Sequence, residues 1–201
     1  MPPPLPPGDQ TLIQIMDAAL ADTTRRSGDW LVCKLGCTQC CIGVFAINQL
    51  DVLRLQHGLA ELETNDPARA ARVKDRARDS VARLKDEFPG DPQTGILDES
   101  DAGAELFESF ANDEPCPVLD PVTGACDLYA SRPMTCRVFG PPVRSKDGLG
   151  VCELCYDGAA AEQIAACEMR PDPDGLEGKL VKELENSGSY GQTIIAFALA
   201  S

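Results

Sequence analysis

The sequence predicts a mainly α fold, a small helical domain carrying long irregular cysteine-rich segments. Three observations predict it. Apolar residues recur at helical spacing in several separate stretches. The tract 115–155 is rich in Cys, Pro and Gly and has no regular period. Ten cysteines stand against a single histidine, His57. The length of 201 residues suits one domain, long enough to bury roughly 70% of its unfolded surface.

The elements follow in order. Residues 1–8 read as a Pro-rich disordered leader, and 9–201 as a single domain. Leu12, Ile13, Met16 and Leu20 form the first amphipathic face. In Ile47–Gly58, Asn48 is the expected N-cap, Asp51 suits the first turn and Gly58 is the expected stop. His57 falls in the last turn, where a carbonyl or the helix dipole suits it better than a catalytic role. The strongest helix is 66–88, opened by Asp66-Pro67. Its stripe is Val73, Ala77, Val81, Leu84 and Phe88. Its other faces carry Arg69, Arg72, Lys74, Arg76, Arg78, Arg83 and Lys85 among five acids. That mixture reads as a solvated, salt-bridged face, not a nucleic-acid surface. A coil follows, then a short helix around Leu106, Phe107 and Phe110. Further helices are expected over Asp157–Met169 and at Leu176, Leu180 and Leu184, with Pro171–Gly175 between them. The apolar tail Ile194–Ala200 reads as a strand or buried helix.

Charge and composition exclude several functions. The net charge is −14, which disfavours docking on phosphate backbones or anionic lipid. The expected partners therefore include no nucleic acid and no membrane. One histidine excludes His-rich zinc sites, non-haem iron triads and most His-based acid–base catalysis. No phosphate loop, dinucleotide fingerprint or Ser-His-Asp set is present. The N-terminus has no basic, apolar signal segment, and no apolar run approaches about 18 residues. The expected location is the cytoplasm, where thiols persist as thiols. The cysteines then read as metal ligands or reactive thiols.

Their spacing sharpens this. Cys37-x2-Cys40 lets two thiolates reach one metal from a tight turn, and Gly36 lets the backbone curl. Adjacent Cys40 and Cys41 are expected to point in different directions, serving two centres or one centre and the packing. Asp120-Pro-Val-Thr-Gly124 is a turn that should bring Cys116 and Cys126 together, with Cys136 following. Cys152-x2-Cys155 is a second chelating turn, with Cys167 beyond it. Without usable His, a four-thiolate zinc site and an iron–sulfur cluster both suit this donor set. Such metal would staple the irregular segments. Ten cysteines exceed the four of one centre, so two thiolate centres are expected, joined through residues 33–41.

The ordered motifs Cys37-x2-Cys40-Cys41, Pro115-Cys-Pro-Val-Leu-Asp120, Cys126-Asp-Leu-Tyr-Ala-Ser-Arg-Pro133 and Cys136-Arg-Val-Phe139 resemble the bacterial YkgJ-like cysteine-cluster family. That family is described as zinc- or iron-chelating. The resemblance covers roughly 30–140, leaving 141–201 as a C-terminal extension. It is similar in turn to the cysteine-rich part of flagellin lysine methylases, which implies an iron–sulfur centre as much as a zinc one. By position it implies Cys37, Cys40, Cys41, Cys116, Cys126 and Cys136 as ligands, with Tyr129, Arg132 and Arg137 beside the cofactor. Three residues rather than two separate Cys33 from Cys37, so Cys33 departs from the family's pattern. Cys33, Cys152, Cys155 and Cys167 are the remaining ligand candidates.

Three functions follow as expectations. The first is an iron–sulfur protein holding a 4Fe–4S cluster, with a redox, electron-transfer or modification role and a protein or redox partner. The second is a zinc-stapled interaction module without catalysis. The third, resting on the methylase relatives alone, is an enzyme modifying a protein or peptide side chain.

Overall fold

The computed structural model describes residues 1–34, 36–145 and 148–200. The fold is mainly α. Among the described residues the helices are α1 Asp9–Ser27, α2 Gln49–Asn65, α3 Pro67–Leu84, α4 Asp101–Ser109, α5 Met134–Val138, α6 Ala161–Ala166, α7 Leu176–Asn186 and α8 Ile195–Ala200. Two small antiparallel hairpins complete it: β1 Gly90–Asp91 with β2 Ile96–Leu97, and β3 Val143–Ser145 with β4 Gly148–Gly150.

Local signals set the helix starts. Asn48 accepts from the Asp51 N–H at 3.0 Å, and Asp66 accepts from the Arg69 N–H at 3.0 Å with Pro67 in the first turn. These caps satisfy donors that the first helical turn leaves free.

The main core is where α2, α3 and α8 meet, around Ile47, Leu55, Leu59, Val73, Ala77, Leu128 and Leu199. A second cluster joins α1, α5 and α7 through Leu12, Met16, Leu50, Met134 and Leu180. Leu5 of the N-terminal segment packs on it, and the Pro3 carbonyl lies 2.6 Å from His57 Nε2. A third cluster pairs Phe88 with Phe110 and Phe197.

Several expected boundaries move. Gly58 does not stop its helix; α2 runs on to Asn65. The glycine is there for room, since a Cβ would meet Ser131 Oγ at 2.3 Å. The helix expected over 66–88 ends at Leu84, and Phe88 is buried from a loop instead. The helix expected over 157–169 covers only Ala161–Ala166. The tail is a buried helix, not a strand.

One buried ion network ties the framework to the cysteine region. Arg54, 2% exposed, donates from Nε to Asp9 at 2.6 Å and from Nη1 to Asp51 at 2.7 Å. Asp51 also accepts from the Met134 N–H at 3.1 Å, which fixes the start of α5.

Candidate metal centre

Four chain segments converge on one cavity of about 210 Å³. The first is the loop before α2. Cys37 N–H donates to Lys34 O at 2.9 Å, and a short turn over Gln39–Cys41 places the vicinal cysteines. Gly36 and Gly43 bracket this stretch at φ +88° and +89°, conformations that favour glycine. The second segment is latched to the first: Cys116 N–H donates to Cys41 O at 2.8 Å. The third follows the Asp120–Gly124 turn, closed by Gly124 N–H to Asp120 O at 2.8 Å. That turn pairs Leu119 with Cys126 and brings Cys126 back beside Cys116. The fourth is α5, which carries Cys136.

Seven cysteines line this cavity: Cys33, Cys37, Cys40, Cys41, Cys116, Cys126 and Cys136. Tyr129, Arg132 and Arg137 line it too. All ten thiols are free. Both members of the vicinal pair line this one cavity. They sit side by side on the short turn over Gln39–Cys41 and interact with one another. Among the described residues, no three Cys, His, Asp or Glu side chains close to the arrangement that holds one ion.

Burial dominates their acidity. It pushes Cys116 up to about 12 and Cys33 up to about 11, and raises Cys126 and Cys136. Cys40 is the exception. The hydrogen bond with Cys41 pulls it down to about 6, with help from the Arg132 charge, and the same bond raises Cys41. A metal must displace these protons, so loading releases acid.

The two arginines are the buried cations of the wall. Arg132 is 9% exposed and stacks on Tyr129, yet its Nε and Nη1 have no hydrogen-bond partner. Arg137 is 5% exposed and donates to Asp17 at 3.1 Å and to Ala130 O, while its Nε is unpartnered. Arg137 is buried, while its partner Asp17 is half-exposed. Unpaired buried guanidinium N–H groups are costly unless an anion meets them. A thiolate-bound metal centre is such an anion, so the donor set and its surroundings fit a soft metal or an iron–sulfur cluster.

Cys152, Cys155 and Cys167 lie apart, packed with Leu31 and Tyr156 in their own apolar cluster. Cys33 connects the two groups: its side chain lines the cavity, and its backbone N–H reaches the Cys155 sulfur.

Sequence reasoning missed Asp127. Its side chain is 1% exposed and clamped by Arg69 and Arg76, each at 2.5 Å. Arg76 also donates to Pro117 O at 2.8 Å. The face of α3 read as solvated thus holds the Cys116–Cys126 loop. The available signal was a carboxylate directly after a cysteine, opposite a helix with more cations than acids. Arg83 uses the same face to reach Glu114 at 2.6 Å.

A family model described as CxxCxxCC, a zinc- or iron-chelating domain, matches residues 32–156. The match takes in Cys152 and Cys155, which lie past the region that carries the sequence resemblance, and leaves Cys167 outside. No curated protein and no solved structure matches the chain. Among the described residues, no helix is long and apolar enough to cross a membrane.

Proposed function

We propose that this chain, which belongs to the CxxCxxCC family of zinc- or iron-chelating domains, holds an iron–sulfur cluster in its cysteine-lined cavity and works as a redox protein. One observation carries the choice of a cluster over a single zinc ion. Seven cysteines line a space of about 210 Å³, which leaves room for a bulky polynuclear centre. A lone tetrahedral ion needs its four sulfurs within about 2.3 Å of one point.

The ligands are drawn from Cys37, Cys40, Cys41, Cys116, Cys126 and Cys136. A bound cluster of this kind supplies one-electron chemistry. The chain's own residues do the rest. Arg132 and Arg137 place positive charge against the thiolate-rich centre and stabilise its more negative state, which raises its reduction potential. Tyr129 holds the Arg132 plane from outside and is 55% exposed, so it marks the side from which a redox partner approaches. Val118 and Ile195 form an apolar wall that limits water.

The test is the composition of protein purified without oxygen. Brown protein with iron and acid-labile sulfide in comparable amounts is the expected result. Colourless protein with stoichiometric zinc and no sulfide would replace this reading with the zinc-stapled interaction module.

A further inference from the structure

The C-x2-C turn outside the cavity has a geometry of its own. Cys155 N–H donates to Cys152 O at 2.9 Å, closing a tight turn. Burial raises the Cys155 thiol, and the neighbouring Cys152 thiol raises it further. Their access differs: Cys155 is 4% exposed, while Cys152 is half-buried. The inner sulfur is held from beneath by the backbone N–H groups of Val32 and Cys33. Beside it, Tyr156 bonds to Cys167 and to Ser27, which fixes the floor of the site. The turn is also tied to the metal loop, since Gln39 Nε2 donates to Glu153 at 2.6 Å. Two cysteines on one closed turn, one reachable and one sheltered, make a dithiol.

We propose that Cys152 and Cys155 form a redox-active dithiol that exchanges with an external disulfide. This goes beyond the cluster reading and does not depend on it. Cys152 loses its proton and attacks one sulfur of the incoming disulfide. A mixed disulfide forms, and the first external thiolate leaves and takes up a proton. Cys155 then loses its proton and attacks the Cys152 sulfur. The internal disulfide forms and the second external thiol is released. The external disulfide is reduced by two electrons, and the cysteine pair is oxidised by two. The adjacent Cys40–Cys41 pair is a poor site for this step. Neighbouring Cα atoms lie only about 3.8 Å apart, below the ~4.4 Å at which ordinary disulfides begin. The C-x2-C spacing has no such restriction.

The experiment uses the full-length, metal-loaded protein under nitrogen. It is equilibrated across ratios of oxidised to reduced dithiothreitol, quenched in acid, alkylated and mapped by peptide mass spectrometry. The expected result is a Cys152–Cys155 disulfide appearing with a single midpoint while metal content stays constant. With oxidised glutathione, Cys155→Ser should trap glutathione on Cys152 at least tenfold more than Cys152→Ser traps it on Cys155. An oxidised C-x2-C protein in place of glutathione tells a protein disulfide from a small one by which reacts faster. Free alkylation of both cysteines at every ratio overturns the proposal. So does metal loss in step with oxidation, or protection from alkylation that a chelator removes, because either makes the pair ligands. The wild-type map needs no variant to fold. A colourless protein defeats the cluster reading and leaves this result intact.

Discussion

The Arg132 guanidinium lies 3.8 Å from the centre of the Tyr129 ring in the wall of the thiol-lined cavity, and its buried Nε and Nη1 have no hydrogen-bond partner. The aromatic face holds the cation in place, and under the proposed reading a thiolate centre would give its free N–H groups an anion. Replacing Arg132 by Ala removes a buried positive charge from beside the centre. The reduction potential should fall by about 60 mV or more, one tenfold step for a single electron. Potentiometric titration checks it. Arg132→Lys keeps the charge and loses the planar fork, so it should recover part of the shift.

Asp127 holds the Cys116–Cys126 loop to α3 through Arg69 and Arg76. The carboxylate is buried, but the arginine side chains are 36% and 24% exposed, so solvent screens them partly. Asp127→Ala should therefore cost about 2 kcal/mol, less than a fully buried pair. For a chain of this size that lowers the melting midpoint by about 4–8 °C. Calorimetry with and without bound metal should show the larger drop in the metal-free protein, where the loop has no other tether.

Gly58 sits inside α2, where helix propensity alone favours alanine by about 1 kcal/mol. The structure predicts the reverse. A Cβ would meet Ser131 Oγ at 2.3 Å and Ser131 Cβ at 2.5 Å. Gly58→Ala should lower stability by about 1–3 kcal/mol through overpacking. The pair Gly58→Ala with Ser131→Gly should restore most of it in a chemical denaturation series.

Burial raises the Asp51 carboxyl to about 6, against the opposing pull of Arg54 and the Met134 N–H. Its folded value lies above its unfolded value of 3.8. The associated stability is thus full below about pH 4 and is lost as pH rises through about 6. The total is on the order of 3 kcal/mol. Unfolding free energies measured from pH 4 to 7 should fall more steeply for the wild type than for Asp51→Asn. Equal slopes would show that Asp51 ionises in the folded state as it does in the unfolded chain.

Much of the helical framework was legible in the sequence because its signals are local. Asn48 and Asp66 cap helices within three residues of themselves, and the Val73–Ala77 stripe repeats within one chain segment. The turn at Asp120–Gly124 likewise announces that Cys116 and Cys126 come together. The cysteine spacing and the lack of histidine marked the donor set, and the ordered motifs marked the family.

What lay beyond reach was every feature whose partner is distant in the chain. Gly58 looks like a stop until Ser131 is set against it. The cations of α3 look solvated until Asp127, more than fifty residues on, is buried between two of them. Cys40 and Cys41 look divergent by their adjacency, yet both line one cavity, on a loop latched by Cys116 to Cys41. Caps, turns and periodicity act over one or two turns of backbone, so residue order alone fixes them. Which buried charge meets which cation, and which thiols share a cavity, depends on how α2, α3 and α8 pack, and only the tertiary structure decides that.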